Sequence, residues 1–456
     1  MSDLPPRGYG LPTGIFVVVA GMVGAGILTS SGYTLRDTGN PAALLALWAL
    51  GGLMALCGAW CMVEMATALP RVGGDYVFAR EAFGPAAGVV AGWLSFLVGF
   101  AAPTAVVSRL AANYATTPIL LPWHNSLPVW LLNNLEPMLA SLLIAGITLG
   151  HCLGQRQSAR VQIVTTLAKL VVLMGMGLAG ILSPKADWSH LAASHLPDQA
   201  EWGTLAVGLI YVGYAYAGWN SAGYLAGEIR DPGKLLPWST LGGCTLVAAL
   251  YLLLNLVYIL ALDPQGMRQR PVEEVGPVAD LAMRELFGPG VANLLSVVLG
   301  LGLIASVSSY LLAGSRLPVA MARDGCFPSL AGKLHATRHT PVAGLLMQAG
   351  LAISLCWSGS FLQILDYTSV GLTLISALVI ASIFPLRRRP DLAHAVRCPL
   401  HPLPALVFLG LSAWTIVFAL QDSQKRIPAL LSIATVLAVM GLGYWFTHAR
   451  QPGKSA

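Results

Sequence analysis

Charge is scarce in this chain. Its 456 residues include 26 Lys or Arg and 20 Asp or Glu, 10% in all, where soluble domains carry about 25%. With 56% of residues hydrophobic, that shortage excludes an ordinary soluble domain. The net charge of +6 is scattered, with Arg387-Arg388-Arg389 as the only basic run, so no nucleic-acid surface is expected. Cysteine is also sparse. The seven, Cys57, Cys61, Cys152, Cys244, Cys326, Cys356 and Cys398, show neither a disulfide framework nor zinc-ligand spacing. Catalytic constellations are missing too: there is no HExxH, no phosphate-cradling glycine-lysine loop, and the nine histidines fall in loops or at span ends. No catalytic residue, metal or cofactor is therefore expected. A receptor reading has only the presence of a ligand pocket in its favour.

What the chain has in quantity is long apolar sequence. About twelve stretches occur, at roughly 13–34, 41–66, 84–113, 132–152, 161–183, 202–226, 237–262, 291–315, 341–357, 361–385, 402–421 and 427–447, and most reach the ~20 residues that cross a bilayer. The ninth is short. The first is longer than a signal-peptide core and is expected to stay in the mature protein. An all-α, polytopic membrane protein follows, read as one domain over 1–456. With the amino terminus in the cytoplasm, inner loops hold 17 basic residues and outer loops 7, the bias of the positive-inside rule. Both termini are expected in the cytoplasm, in the plasma membrane or, in a bacterium, the inner membrane. In the outer loop near 263–290, an amphipathic stretch around 278–287 reads either as a cover over the outer vestibule or as a plain connector.

Two apolar stretches, the first and the sixth, are interrupted by Gly21-Met22-Val23-Gly24-Ala25-Gly26 and Tyr214-Ala215-Tyr216-Ala217-Gly218-Trp219-Asn220. Glycine costs about 1 kcal/mol relative to alanine inside a helix, so the first helix can open there. Small residues also let helices approach closely, which is the competing reading of one such segment alone. Irregular backbone at membrane depth persists only where it is buried or lines a cavity. Two breaks five spans apart point to a transporter whose site lies between inverted repeats. Repeat one is expected at about 10–183, repeat two at about 202–390, with helices 11 and 12 at about 402–447. An opened first helix would offer the amides of Ala25 and Gly26 to a carboxylate and the Met22 carbonyl to an ammonium group. Tyr214 and Ala217 would add acceptors from the second break.

Lys169 lies nine residues past Arg160, roughly 13 Å along a helix and near the middle of a hydrocarbon core about 30 Å thick. A lysine there costs about 2.5–3.5 kcal/mol on insertion scales, so it should face the bundle interior and meet polar partners. Ser306, Ser308 and Ser309 on the eighth stretch either supply hydroxyls near it or cap their own helix. Glu64 and Asp366 read as interfacial or gate-linked, and Arg109 as snorkelling to the outer surface.

Several segments together resemble the L-type amino acid transporter branch of the amino acid–polyamine–organocation superfamily. They are residues 214–232 with Gly233-Lys234-Leu235-Leu236-Pro237, Ala159-Arg160-Val161-Gln162 with Lys169, Gly73-Gly74-Asp75-Tyr76 with Phe83-Gly84-Pro85, and Ser315-Arg316 with Ala322-Arg323-Asp324-Gly325 and Pro328. The resemblance covers about residues 10–390. It implies a five-plus-five inverted-repeat fold with broken helices 1 and 6. The substrate contacts it implies are Met22, Gly24, Ala25, Gly26, Tyr214, Ala217, Gly218 and Asn220, with Tyr214 as an aromatic gate. Asn220 would contact substrate or the first helix. Lys169, with Ser306 and Ser308, would occupy the place where sodium-coupled relatives hold an ion. Its ammonium then either substitutes for sodium or couples proton movement by deprotonating.

The family often has serine where Ala25 stands, and the proline common after the first helix is missing from Thr29-Ser30-Ser31-Gly32, which leaves fine selectivity open. The implied function is sodium-independent transport of neutral L-amino acids by alternating access, as an exchanger. The alternative is proton-coupled uptake of amino acids or amines. No acidic residue lies within either break, which speaks against polyamines. Partners are then an amino acid substrate and the lipid bilayer. Residues 114–131 contain no cysteine, so the disulfide-linked glycoprotein subunit of some animal relatives is not expected.

Overall fold

The computed structural model describes residues 10–448 apart from 72, 121–125, 154, 196–200, 225, 228, 273, 336, 337, 339, 394 and 424. The chain is built of helices, as a bilayer requires, because only a helix satisfies each backbone amide within its own segment. The first span is split into α1 (Leu11–Met22) and α2 (Ala25–Thr38), bent by 41°. Span two is α3 (Pro41–Ala68), started by Pro41 and by Asn40, whose side chain accepts from the Ala43 amide at 3.2 Å. A short helix, α4 (Asp75–Phe83), leads into span three. That span runs as α5 (Pro85–Leu94), a π-helical stretch (Ser95–Ala101) and α6 (Ala102–Leu120).

Spans four and five are α7 (Val129–Leu153) and α8 (Gln155–Ile181). Span six breaks into α9 (Glu201–Tyr216) and α10 (Ser221–Tyr224), and span seven is α11 (Pro232–Ala261). After α12 (Pro264–Gln269), α13 (Val278–Gly314) kinks at Gly288, where φ is +80°, so its first part is an outer-loop helix and the remainder span eight. That outer helix packs on α2: a Cβ at Gly32 would lie 1.9 Å from the Val275 carbonyl oxygen and 3.2 Å from Val278. The stretch thus covers the outer half of the first span.

Then come α14 (Arg316–Arg323), α15 (Val342–Cys356), α16 (Phe361–Ala381), α17 (Ile383–Arg387), α18 (Leu403–Gln421) and α19 (Arg426–His448). Eight described helices are long and apolar enough to cross a membrane, and the bent α1/α2 pair makes a ninth. The shorter α9/α10, α15 and α19 complete the twelve stretches read from the sequence. The core surrounds the broken spans. Span three is buried over 83% of its apolar window, against 28% for α7 and for α18, which places the latter two on the periphery.

Candidate functional site

Both glycine-rich segments stop a helix in mid-membrane. α1 ends at Met22 and α2 begins at Ala25, with Gly24 non-helical at φ −131° and ψ −145°. α9 ends at Tyr216, and residues 217–220 turn through Gly218 at φ +107°, a conformation that favours glycine. The two breaks lie against each other. A Cβ on Gly26 would sit 2.3 Å from the Ala215 Cα, and one on Gly218 would sit 2.5 Å from the Gly21 carbonyl carbon. Only glycine permits this approach.

A helix that ends in hydrocarbon leaves the carbonyls of its last turn without partners. Here side chains from three other spans meet them. The Tyr310 hydroxyl donates to the Gly21 carbonyl at 2.9 Å. Tyr251 donates to the Met22 carbonyl at 2.7 Å and to the Ala215 carbonyl at 3.0 Å, joining the ends of the two broken helices. Ser306 donates to the Val23 carbonyl at 2.8 Å. The buried Lys169 ammonium reaches that same carbonyl and the Ser306 hydroxyl, the latter at 2.8 Å. The Lys169 side chain thus ends on the unwound segment, between two neutral oxygens.

The opposite pole of the break is donor-rich. No side chain caps the first turn of α2, where the Ala25 and Gly26 amides lie, and the positive end of the helix dipole points there. Tyr214 is buried nearby, and its hydroxyl has no hydrogen-bond partner among the described residues. Buried hydroxyls are usually paired; those of Tyr214 and Tyr258 are exceptions among the described residues. Gly24 leaves room, with the Tyr310 hydroxyl and Val107 each 3.6 Å from where its Cβ would stand.

Several of the groups expected at the site already have partners within the protein. The Met22 carbonyl, assigned to a substrate ammonium group, is engaged by Tyr251. The Tyr214 carbonyl accepts from the Ala217 amide at 3.0 Å. Ala217 lines a cavity of about 30 Å³ with Gly51, Met54, Thr373 and Phe408, room for water rather than for an amino acid. Asn220 lies close enough to Asp75 to act on its carboxyl, and no hydrogen bond joins its side chain to the first helix among the described residues. Ser308 meets His151 at 3.0 Å and not Lys169, because residues two apart on a helix face different sides. Arg109 does not snorkel: it donates to Glu136 at 2.7 Å and to the Gly359 carbonyl at 2.6 Å inside the protein.

Tyr251 and Tyr310 were not anticipated from the sequence. The available signal was that a tyrosine in an apolar span needs a partner for its hydroxyl.

Polar latches close both ends. At one, Asp366 accepts from the Tyr211 hydroxyl at 2.6 Å and from Lys425 at 3.1 Å, tying α9, α16 and the segment before α19. Tyr33 of α2 lies over Tyr211, with ring centroids 5.6 Å apart. At the other, arginine-rich end, Glu64 accepts from Arg397 at 3.0 Å, Arg387 at 3.3 Å and the Cys398 amide at 2.7 Å. There too Asp324 accepts from Arg80 and from the Tyr76 hydroxyl.

Two mutually packed broken helices inside a membrane bundle, latched at both faces, define a membrane transporter. The chain belongs to the amino acid permease family, whose model matches residues 9–442, and its function is amino acid transport. It is 25% identical to the large neutral amino acids transporter small subunit 2 of Oryctolagus cuniculus, over 96% of this chain and 79% of that protein. It is 26% identical to the Asc-type amino acid transporter 1 of Mus musculus (96% and 80%) and 25% identical to the cystine/glutamate transporter of Pongo abelii (95% and 83%).

Proposed function

We propose that this chain exchanges neutral L-amino acids across the plasma membrane, or the inner membrane of a bacterium, without sodium. The observation that carries this reading is the Lys169 ammonium seated on the Val23 carbonyl and the Ser306 hydroxyl. A carbonyl and a hydroxyl at a helix break are the ligands a sodium ion would use, and a tethered cation on them makes a free one unnecessary. The substrate carboxylate meets the Ala25 and Gly26 amides, and its ammonium group takes the Ala217 carbonyl and the second lone pairs that the Met22 and Tyr214 carbonyls keep beside their bonds to Tyr251 and the Ala217 amide. Tyr214 closes over it, with its hydroxyl free for the ligand. The inverted repeats, about 10–183 and 202–390, rock about this point while both termini stay in the cytoplasm.

The relative named a small subunit is by that name part of a larger assembly. The lack of cysteine in residues 114–131 removes one covalent linkage point and says nothing of non-covalent association.

The test is counterflow in proteoliposomes loaded with unlabelled alanine or leucine, sodium-free and at equal pH on both sides. Labelled amino acid should enter only vesicles that hold internal substrate. In Lys169→Ala, loss of a charge-assisted hydrogen bond worth about 1.5–3 kcal/mol should lower the rate at least about tenfold. A strict sodium requirement in the unmodified protein would sink the reading. Uptake that needs an imposed pH gradient, and disappears in Lys169→Ala, would put proton coupling through Lys169 in its place. That second reading draws on the partners of Lys169 among the described residues, a carbonyl and a hydroxyl with no carboxylate.

A further inference from the structure

Asp75 is a buried acid that the substrate site does not use. It begins α4, outside the spans, and is 3% exposed. The preceding Gly74 has φ +47°, and a Cβ there would lie 2.5 Å from the Tyr224 ring. That glycine therefore lets the last residue of α10 close directly onto the start of α4. The Ser95 hydroxyl, at the head of the π-helical stretch, donates to Asp75 Oδ2 at 2.9 Å. The Tyr224 and Asn220 side chains lie close enough to act on the carboxyl, but Ser95 makes its one hydrogen bond of normal geometry, and Oδ1 has none. One acid thus joins α4, span three and the second broken helix on both sides of α10.

All three of these neighbours are neutral. None of the ion pairs among the described residues includes Asp75. The charged groups on the elements around α4 are engaged elsewhere: Arg80 with Asp324, Glu81 with Arg71 and Arg389, and Arg387 with Glu64. α5 carries no ionisable side chain. At the far end of α16, Asp366 holds Lys425, and Tyr367 is bonded to Thr435. An ionised carboxylate with no counter-charge is costly to bury, and such a group takes up a proton instead. Burial does hold this carboxyl above the usual range, against the pull of its polar neighbours Tyr224, Ser95 and Asn220.

We propose that Asp75 is the proton-binding residue of the gate at the arginine-rich face, protonated while α10 is packed on it and ionised when α10 moves away. Opening takes the Tyr224 and Asn220 side chains off the carboxyl and brings water in their place, which solvates the carboxylate better than two neutral groups in a dry contact. The proton goes to the water of that face and returns from the same face on closing. No proton is carried across the membrane, so the device is compatible with exchange. A pH rise at the arginine-rich face favours opening, because ionisation is easier in the open arrangement. The assignment depends on the geometry around α10 and not on which amino acid is carried.

Hydrogen–deuterium exchange of the purified full-length protein in detergent, without substrate, reads this directly. Between about pH 5 and pH 9, and after correction for intrinsic exchange, protection of residues 75–83 and 217–224 should fall as pH rises. A difference of about one pKa unit between the two arrangements changes their ratio about tenfold. Asp75→Asn should keep the low-pH protection throughout. Should that variant not fold, Tyr224→Phe serves: losing one donor to the carboxylate should move the transition to higher pH. Protection that does not vary with pH in the unmodified protein would overturn the proposal. So would an unmoved transition in whichever of the two variants folds.

Discussion

Replacing Tyr251 by phenylalanine removes one hydroxyl and leaves the ring, which packs edge-on against Trp48 at 5.1 Å and tilted against Tyr216 at 5.0 Å. The lost hydroxyl is the donor shared by the Met22 and Ala215 carbonyls, the terminal acceptors of both broken helices. An unsatisfied buried group costs about 1–3 kcal/mol, and measured interhelical hydrogen bonds in membranes lie toward or below the low end of that range. Unfolding entropy of about 2.1 cal/mol/K per residue gives about 1 kcal/mol/K over 456 residues, so the melting midpoint should fall by roughly 1–3 °C. The effect on transport is larger, because the same about 1–3 kcal/mol acting on one conformational equilibrium is about 5- to 150-fold.

A control lies two turns along the same helix. Tyr258 is fully buried, and its hydroxyl has no partner among the described residues, so Tyr258→Phe should leave the midpoint unchanged or slightly raised. The assay is thermal melting in detergent paired with initial counterflow rates normalised to protein. Equal behaviour of the two variants in both measurements would refute the idea that Tyr251 couples the breaks.

Two further outcomes test the packing and the arginine-rich latch. Gly26→Ala puts a methyl 2.3 Å from the Ala215 Cα, whereas Gly24→Ala meets nothing closer than 3.6 Å. Overpacking costs typically about 1–3 kcal/mol, so the first should lose most transport while still reaching the membrane and the second should keep it; equal rates would show that the breaks do not close on each other. Glu64 is buried with two arginines and a backbone amide on its carboxylate, and removing one partner of a buried charge pair costs about 3–5 kcal/mol. Glu64→Gln should therefore lower the melting midpoint by several degrees and the yield of monodisperse protein in size-exclusion chromatography, and an unchanged midpoint would show that the cluster is solvated.

The apolar stretches, their number and the two breaks were legible in the sequence because they are local properties. A span needs about 20 apolar residues in a row, and clustered glycines such as Gly21, Gly24 and Gly26 weaken a helix wherever it packs. The interior position of Lys169 was legible for a similar reason, since a charge that far along a span cannot reach water. Its particular partners were not. Val23 and Ser306 are 146 and 137 residues away from it along the chain, and helix phase alone turns Ser306 toward the lysine and Ser308 toward His151. Likewise the Met22 carbonyl lacks a helical partner because the helix ends there, but its capture by Tyr251, 229 residues on, belongs to the packing of span seven. The closure of α10 on α4 has the same cause: the turn at Gly74 lets the Tyr224 ring come against it. The sequence by itself determined which backbone groups would lack helical partners; only the tertiary structure decided which side chains satisfy them, because those partners come from distant spans and their reach depends on rotation about each helix axis.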